Sequence, residues 1–235
     1  EIYAGIILPN FSSKKIKNIP LTQSMGILFR NMIGMKEQKK LTNEKEYSKL
    51  LIGYLKSSIS IKEFDIHFNP NYKYWSPLYW QGFKQTTRYT YYLNYDEINL
   101  DEEFKNFSKG HKWTLNKVEK NDNLVIKETD DLVEVYEVLQ KTYKRQKKKI
   151  GYSFDLLKNI YEDLKGKNEI KIFKIFEKNT EIIHAVTIFI YNEKEVYYWL
   201  GGSDENYRKI GSHTYLIWYA IRYFSKKTKK CVPFL

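Results

Sequence analysis

Cysteine is almost absent from this chain: Cys231 stands alone among 235 residues. A single thiol excludes an intramolecular disulfide and any cysteine-rich metal site, and it fits a reducing, cytoplasmic address. Histidine is nearly as scarce, and His67, His111, His184 and His213 are scattered without the spacing that holds a metal ion, so no metal is expected. Long apolar runs are missing too. "TYLIWYAI" and "IYAGIIL" fall far short of the roughly 18 residues that a membrane-spanning helix needs, which leaves at most a peripheral place at the inner face of a membrane. There is no Walker-type loop, no G-x-S-x-G elbow and no helix-turn-helix signature.

Acid is also in deficit. Forty Lys and Arg residues face 28 Asp and Glu, a net charge of +12. The summed field of that excess attracts phosphates at long range, so an anionic partner or substrate is one reading; a lysine-rich composition alongside abundant Asn, Ile and Tyr is the other. The 42% hydrophobic content is enough for one large core or two small ones. The first residue is Glu1, opening straight into "IYAGIILP", so a leader segment cannot be judged.

Periodicity predicts strands over 2–9 and 26–30, then a helix over 44–58 capped at Thr42 or Asn43, whose Tyr47, Leu50, Leu51, Tyr54 and Leu55 form its core face. "EFDIHFNP" (63–70) alternates like an edge or half-buried strand, and a further strand is expected near 87–95. From about residue 100 the pattern turns to helix (101–120, capped at Asp101), strand (123–128), helices (131–147 and 153–164), strands (169–177, 181–191 and 195–200), helix (212–226) and the segment "KCVPFL". "EKNTE" and "NEKE" look like hairpin turns.

This element order resembles acyl-CoA N-acyltransferases of the GNAT type. "VYYWLGGSDENYRKIGSHTYLIWYAIRY" is similar to the FemAB-like branch, in which a strand ending in Gly/Ser/Asp leads through Tyr-Arg into the helix before the final strand. "KWTLNKVEKNDNLVIKETDDLVEVYEVLQKTYKRQ" and "WQGFKQTTRYTYYLNYD" fit the same family upstream, so the resemblance spans roughly 75–230. It implies an α/β (α+β) fold of tandem GNAT-like halves, each a mixed, mostly antiparallel sheet flanked by helices. An incomplete first half would occupy 1–98 and the second 99–235, with pieces missing at both ends. The chain departs from the family at the second small residue of the phosphate loop, where His213 stands, and at Lys112, where relatives often show arginine. It also lacks the Asp-Phe-Gly-like continuation after the last helix.

The resemblance implies transfer of an acyl group from acyl-CoA, or a similar thioester carrier, to an amino group of a sugar or peptide in cell-envelope or surface-glycan metabolism. Two other readings stay open. One is a Fem-type aminoacyltransferase that uses aminoacyl-tRNA to extend a peptidoglycan precursor; the other is a noncatalytic binding relative. No heptad arm of the kind several Fem-type enzymes carry is present, which favours the first; the positive charge favours tRNA. Arg208, Lys209, Ile210, Gly211 and Ser212 are the implied donor-phosphate seat, next to polar backbone expected to be free where the strand stops at Leu200. Asp204, with Ser203, is the candidate proton acceptor from the amine, or else a turn former. Tyr143 and Arg145 in "KTYKRQKKK", with Trp80 and Tyr198, are candidate contacts for an anionic small-molecule or lipid-linked acceptor, although the run also reads as a solvated helix end. The aromatic-rich "YKYWSPLYWQGF" is either a stacking surface or core.

Overall fold

The computed structural model describes residues 2–8, 14–58, 60–70, 72, 74–228 and the backbone of 230–233. The chain divides into two compact units, Glu1–Arg88 and Tyr89–Leu235.

In the first unit, β1 (Ala4–Ile7), β2 (Lys15–Lys17), β3 (Gly26–Phe29), α1 (Glu37–Ser58), β4 (Glu63–Asp65) and the single turn α2 (Ser76–Tyr79) follow in order. β1 pairs antiparallel with β3, and β2 parallel with β4. Pro9, at the end of the first expected strand, lies outside the described residues. The helix starts seven residues earlier than its sequence signal, at Glu37 rather than 44. Thr42 therefore lies inside it, and its hydroxyl donates back to the Gln38 carbonyl at 2.9 Å instead of capping. The buried stripe is Ser48, Ile52 and Leu55, whereas Leu50 and Tyr54 are 68% and 61% exposed and do not belong to the core face. The apolar stripe of α1 is wider than the surface it covers. Strand structure at 63–70 is confined to Glu63–Asp65 plus a bridge between Met25 and Phe68. The Phe68 ring crosses Gly26, which is held at φ +106°, so closely that a Cβ there would meet it at 2.6 Å.

The second unit comprises β5 (Leu93–Asn94), α3 (Leu100–Asn106), α4 (Lys109–Glu119), β6 (Leu124–Glu128), α5 (Leu132–Arg145), α6 (Phe154–Gly166), β7 (Ile170–Glu177), β8 (Ile183–Tyr191), β9 (Glu195–Ser203), a 3-10 turn (Glu205–Ile210), α7 (Ser212–Phe224) and β10 (Lys230–Pro233). The strand expected near 87–95 shrinks to two residues, because Tyr89, Tyr91 and Tyr92 face solvent rather than alternating. The helix expected over 101–120 is two helices. The Ser108 hydroxyl accepts the His111 N–H and starts a second helix, while Asn99, not Asp101, caps the first by accepting from the N–H groups of Asp101 and Glu102.

The six strands lie in the order β5-β10-β9-β8-β7-β6. Only β9 and β10 run parallel, joined by the α7 crossover; every other neighbour is antiparallel. Phe173, Ile175, Ala185, Phe189 and Val196 of the sheet pack with Val118, Leu216, Ala220 and Phe224 from α4 and α7. At about 1.5–3 kcal/mol for each large apolar side chain, this cluster is a principal source of the unit's stability. α5 packs on β8 and β9, and α6 on β7. This is a mixed, mostly antiparallel sheet flanked by helices.

β9 does not stop at Leu200. It continues through Gly201 and Gly202 to Ser203, paired with Thr187, Val186 and Ala185 of β8, so the polar backbone expected to be free there is occupied by the sheet. The glycines serve packing. A Cβ on Gly202 would stand 2.9 Å from the Val138 carbonyl and 3.0 Å from Leu139 Cα, both backbone atoms of α5, and a Cβ on Gly201 would collide with the Tyr198 hydroxyl. Gly202→Ala is therefore expected to push α5 off the sheet at a cost of about 1–3 kcal/mol, lowering the thermal midpoint by about 2–4 °C per kcal/mol. Thermal denaturation of the variant, with an unchanged midpoint as the contrary result, checks this.

Candidate active site at the end of the central strand

Among the described residues the register of β10 reaches Pro233, opposite Tyr198, and β9 runs on to Ser203. A bulge falls at the same point: the β8 register shifts between Ile188 and Phe189, whose partners are Leu200 and Tyr198, and Trp199 is the extra residue. Bulges next to such strand ends re-aim side chains. Here Tyr198 points toward α7, where its hydroxyl lies 3.1 Å from His213 Nε2.

Gly211 carries the turn into α7. Its φ of +90° is in the left-handed region, and a Cβ would sit 2.1 Å from Thr114 Cγ2, so only glycine fits. As N-cap it offers no side chain to the first turn of α7. The helix thus begins with N–H groups that lack intrahelical partners, beside the exposed Arg208 and Lys209. Ile210 packs against the core cluster and anchors the turn. His213 is half-buried, and burial, then the charges of Arg145 and Arg208, hold its pKa below the ordinary 6.5. Burial pushes the Tyr198 hydroxyl up to about 12.

Ser203 and Asp204 are held rather than presented. The Ser203 N–H donates to Thr142 Oγ1 at 2.9 Å, Thr142 returns a bond to the Ser203 carbonyl at 3.3 Å, and Arg145 donates to the same carbonyl at 3.3 Å. Asp204 Oδ2 accepts from Lys141 Nζ at 2.9 Å and Oδ1 accepts the Asn206 N–H at 3.0 Å. Burial raises the Asp204 pKa, but Lys141 and Asn206 together outweigh it and leave the carboxyl below its usual range. A carboxylate so engaged is a poor proton acceptor; it caps the turn and ties α5 to β9.

Sequence inspection missed His184, which the fold makes central. It is 1% exposed; Nδ1 lies 2.9 Å from Ser212 Oγ and Nε2 3.2 Å from Glu177 Oε1, and its ring stacks on Tyr207 at 4.0 Å. The only hint in the sequence is a polar residue in an otherwise apolar strand, "IIHAVTIFIY".

Tyr143 stands edge-on to Tyr152 and lines a cavity of about 660 Å3 with Glu137, Lys141, Lys144, Lys148 and Lys149. Lys147, at φ +54°, closes the helix end, and the Lys148 N–H returns to the Tyr143 carbonyl at 3.0 Å, which fixes these lysines around the cavity. Lys144, Lys148 and Lys149 make no ion pair among the described residues. Trp80 belongs to the first unit, 58% exposed, with Lys45 Nζ 4.9 Å above its ring. The rest of its aromatic stretch is divided: Tyr72 stacks on Phe29 and packs at a tilt against Phe68, whereas Tyr79 is exposed. Among the described residues, no helix is long and apolar enough to cross a membrane and no group of three or more His, Cys, Asp or Glu could hold a metal.

Solved structures share this architecture. FemX superposes with a TM-score of 0.58 over 98% of this chain and 78% of its own, at 12% identity. L-PGS from Bacillus licheniformis gives 0.60 over 98% and 67%, at 13% identity. A tandem GNAT protein from the clavulanic acid biosynthesis pathway gives 0.53 over 98% and 70%, at 7% identity. No curated protein matches the chain in sequence. Residues 105–234, more than half of the chain, match the acetyltransferase (GNAT) domain model. With its tandem GNAT-like architecture, the chain belongs to the GNAT acetyltransferase-domain family and is an acyltransferase.

Proposed function

We propose that the protein moves an acyl group from a thioester donor, acyl-CoA, to an amino group of an anionic sugar or peptide acceptor in cell-envelope or surface-glycan metabolism. The observation that carries this reading is the start of α7 at Gly211, which has no side-chain cap, with Arg208 and Lys209 exposed just before it and His213 Nε2 3.1 Å from the Tyr198 hydroxyl just after it. Donor phosphates fit there: Arg208 and Lys209 supply charge, and Ile210, Gly211 and Ser212 bring backbone N–H groups close. The GNAT-like half that holds this site, expected over 99–235, is taken to begin earlier, at Tyr89, because β5 (Leu93–Asn94) pairs with β10 in its sheet; the residues before it form the reduced half.

Amide formation makes a C–N bond, breaks the C–S bond and releases one proton from the attacking amine. His213 receives that proton. In the tautomer whose Nε2–H donates to the Tyr198 oxygen, Nδ1 is the accepting atom, and a pKa held below 6.5 keeps the ring neutral at pH 7. Asp204 and Ser203 hold the strand end in place rather than carry the proton. The lysine-lined cavity with Tyr143 takes the acceptor's negative charge. The address is cytoplasmic, peripheral to the inner face of the membrane.

That same cavity and the net charge favour a second reading, with aminoacyl-tRNA as donor. Salt separates the two. CoA binding that survives a rise from 50 to 200 mM salt, with weak tRNA binding, is expected on the first reading. A steep fall in log affinity for tRNA against log salt, with slope about −0.7 to −0.9 per phosphate contact, would replace it by the second.

A further inference from the structure

We infer that His184 is a positioning residue: through Ser212 on one side and the strand exit at Asp204 on the other, it holds both ends of the Asp204–Ser212 connection, whose second half, residues 208–212, is the donor-phosphate seat of the proposed function. Four contacts converge on this one side chain and its backbone. Its Nδ1 meets Ser212 Oγ at 2.9 Å, at the first residue of α7. Its Nε2 meets Glu177 Oε1 at 3.2 Å, on β7. Its carbonyl accepts the Asp204 N–H at 2.9 Å, where the chain leaves β9. Its ring stacks on Tyr207, in the middle of the turn, with an interplanar angle of 16°.

The order of the bonds follows from chemistry. Glu177 also accepts the Thr180 hydroxyl at 2.7 Å and is the acceptor toward His184, so Nε2 carries the proton and Nδ1 accepts the Ser212 hydroxyl. Serine, histidine and carboxylate in this sequence also describe a nucleophile relay. Burial argues against that use: Ser212 is 2% exposed and His184 1%, so no acyl group reaches the hydroxyl without unfolding the turn. What the relay does instead is fix the direction of a helix start that has no side-chain cap of its own. A backbone seat for phosphate works only if its N–H groups are held toward the ligand before it arrives.

The test uses three variants of the full chain. His184→Asn keeps a polar atom near the Nδ1 position and so keeps the Ser212 bond; His184→Gln reaches the Nε2 position and keeps only the Glu177 bond; Ser212→Ala removes the hydroxyl. Amide hydrogen exchange at Gly211 and Tyr215, whose N–H groups bond the Arg208 and Gly211 carbonyls at 3.1 and 3.0 Å, and CoA affinity by calorimetry, are measured for each. Exchange about 10-fold faster and CoA binding about 10-fold weaker are expected in Ser212→Ala and His184→Gln, with His184→Asn within about 3-fold of wild type in both. Equal behaviour of the Asn and Gln variants, or unchanged exchange in Ser212→Ala, would overturn the inference and leave His184 as ordinary packing. If wild type fails to bind CoA while exchange still accelerates as stated, His184 keeps its positioning role and the donor assignment falls instead.

Discussion

His213→Ala is expected to lower kcat by about 10²- to 10⁴-fold, the range for loss of a general base, with little change in thermal midpoint because the ring is only half-buried. The variant removes the imidazole whose Nε2 lies 3.1 Å from the Tyr198 hydroxyl. Wild-type activity should show an acid limb. Burial and the two arginines hold the His213 pKa below 6.5, so the ring is neutral and competent above that depressed value, and the rate falls tenfold per pH unit below it. The same direction of shift at His184, also from burial first, has a stability consequence. The folded state binds these protons less readily than the unfolded chain, so stability is complete above pH 6.5 and declines as pH drops from 6.5 toward the folded-state values. A pH–rate profile flat through the acid range, or an alanine variant of full activity, would remove His213 from the chemistry.

The second large effect concerns Arg208. Arg208→Ala is expected to weaken CoA binding by about 10- to 100-fold, the equivalent of about 1.5–3 kcal/mol for a hydrogen bond to a charged group. Stability should be preserved, since Arg208 is exposed and makes no ion pair among the described residues. Arg145 is a less clean probe, because its guanidinium also holds the Ser203 carbonyl and its loss disturbs the end of β9. Lys209→Ala is the control: an exposed lysine near the same anion contributes less than a bidentate guanidinium. Calorimetric titration of the two variants beside wild type ranks them, and equal affinities for wild type and Arg208→Ala would contradict the placement of the phosphates.

Much of the second unit was legible in the sequence because its elements are long and strongly periodic. β7, β8, α5, α6 and α7 fall within a few residues of their apolar patterns. The first unit was less legible: α1 is rich in lysine and glutamate along its first half, so its start carries no apolar signal, and a wide apolar stripe placed Leu50 and Tyr54 on the wrong face. The glycine pair after Leu200 misled for a physical reason. Local propensity reads two glycines as a break, whereas here each removes a Cβ that a neighbour needs, α5 on one side and Tyr198 on the other. The turn at Arg208–Ser212 was found because Gly211 before a helical pattern is a local signal. His184, Tyr198–His213 and the Lys141–Asp204 pair were not deducible as contacts, since 28, 15 and 63 residues respectively separate the partners in sequence.

The most direct test of the account is a titration of the uniformly 15N-labelled protein with CoA, followed by amide chemical shifts. Saturable shifts concentrated at Arg208 to Thr214 and at Ser203 are predicted, with Arg208→Ala moving the same resonances at higher CoA concentration. No perturbation of those amides, or shifts confined to the lysines at 144–149, would contradict the placement of the donor at the head of α7.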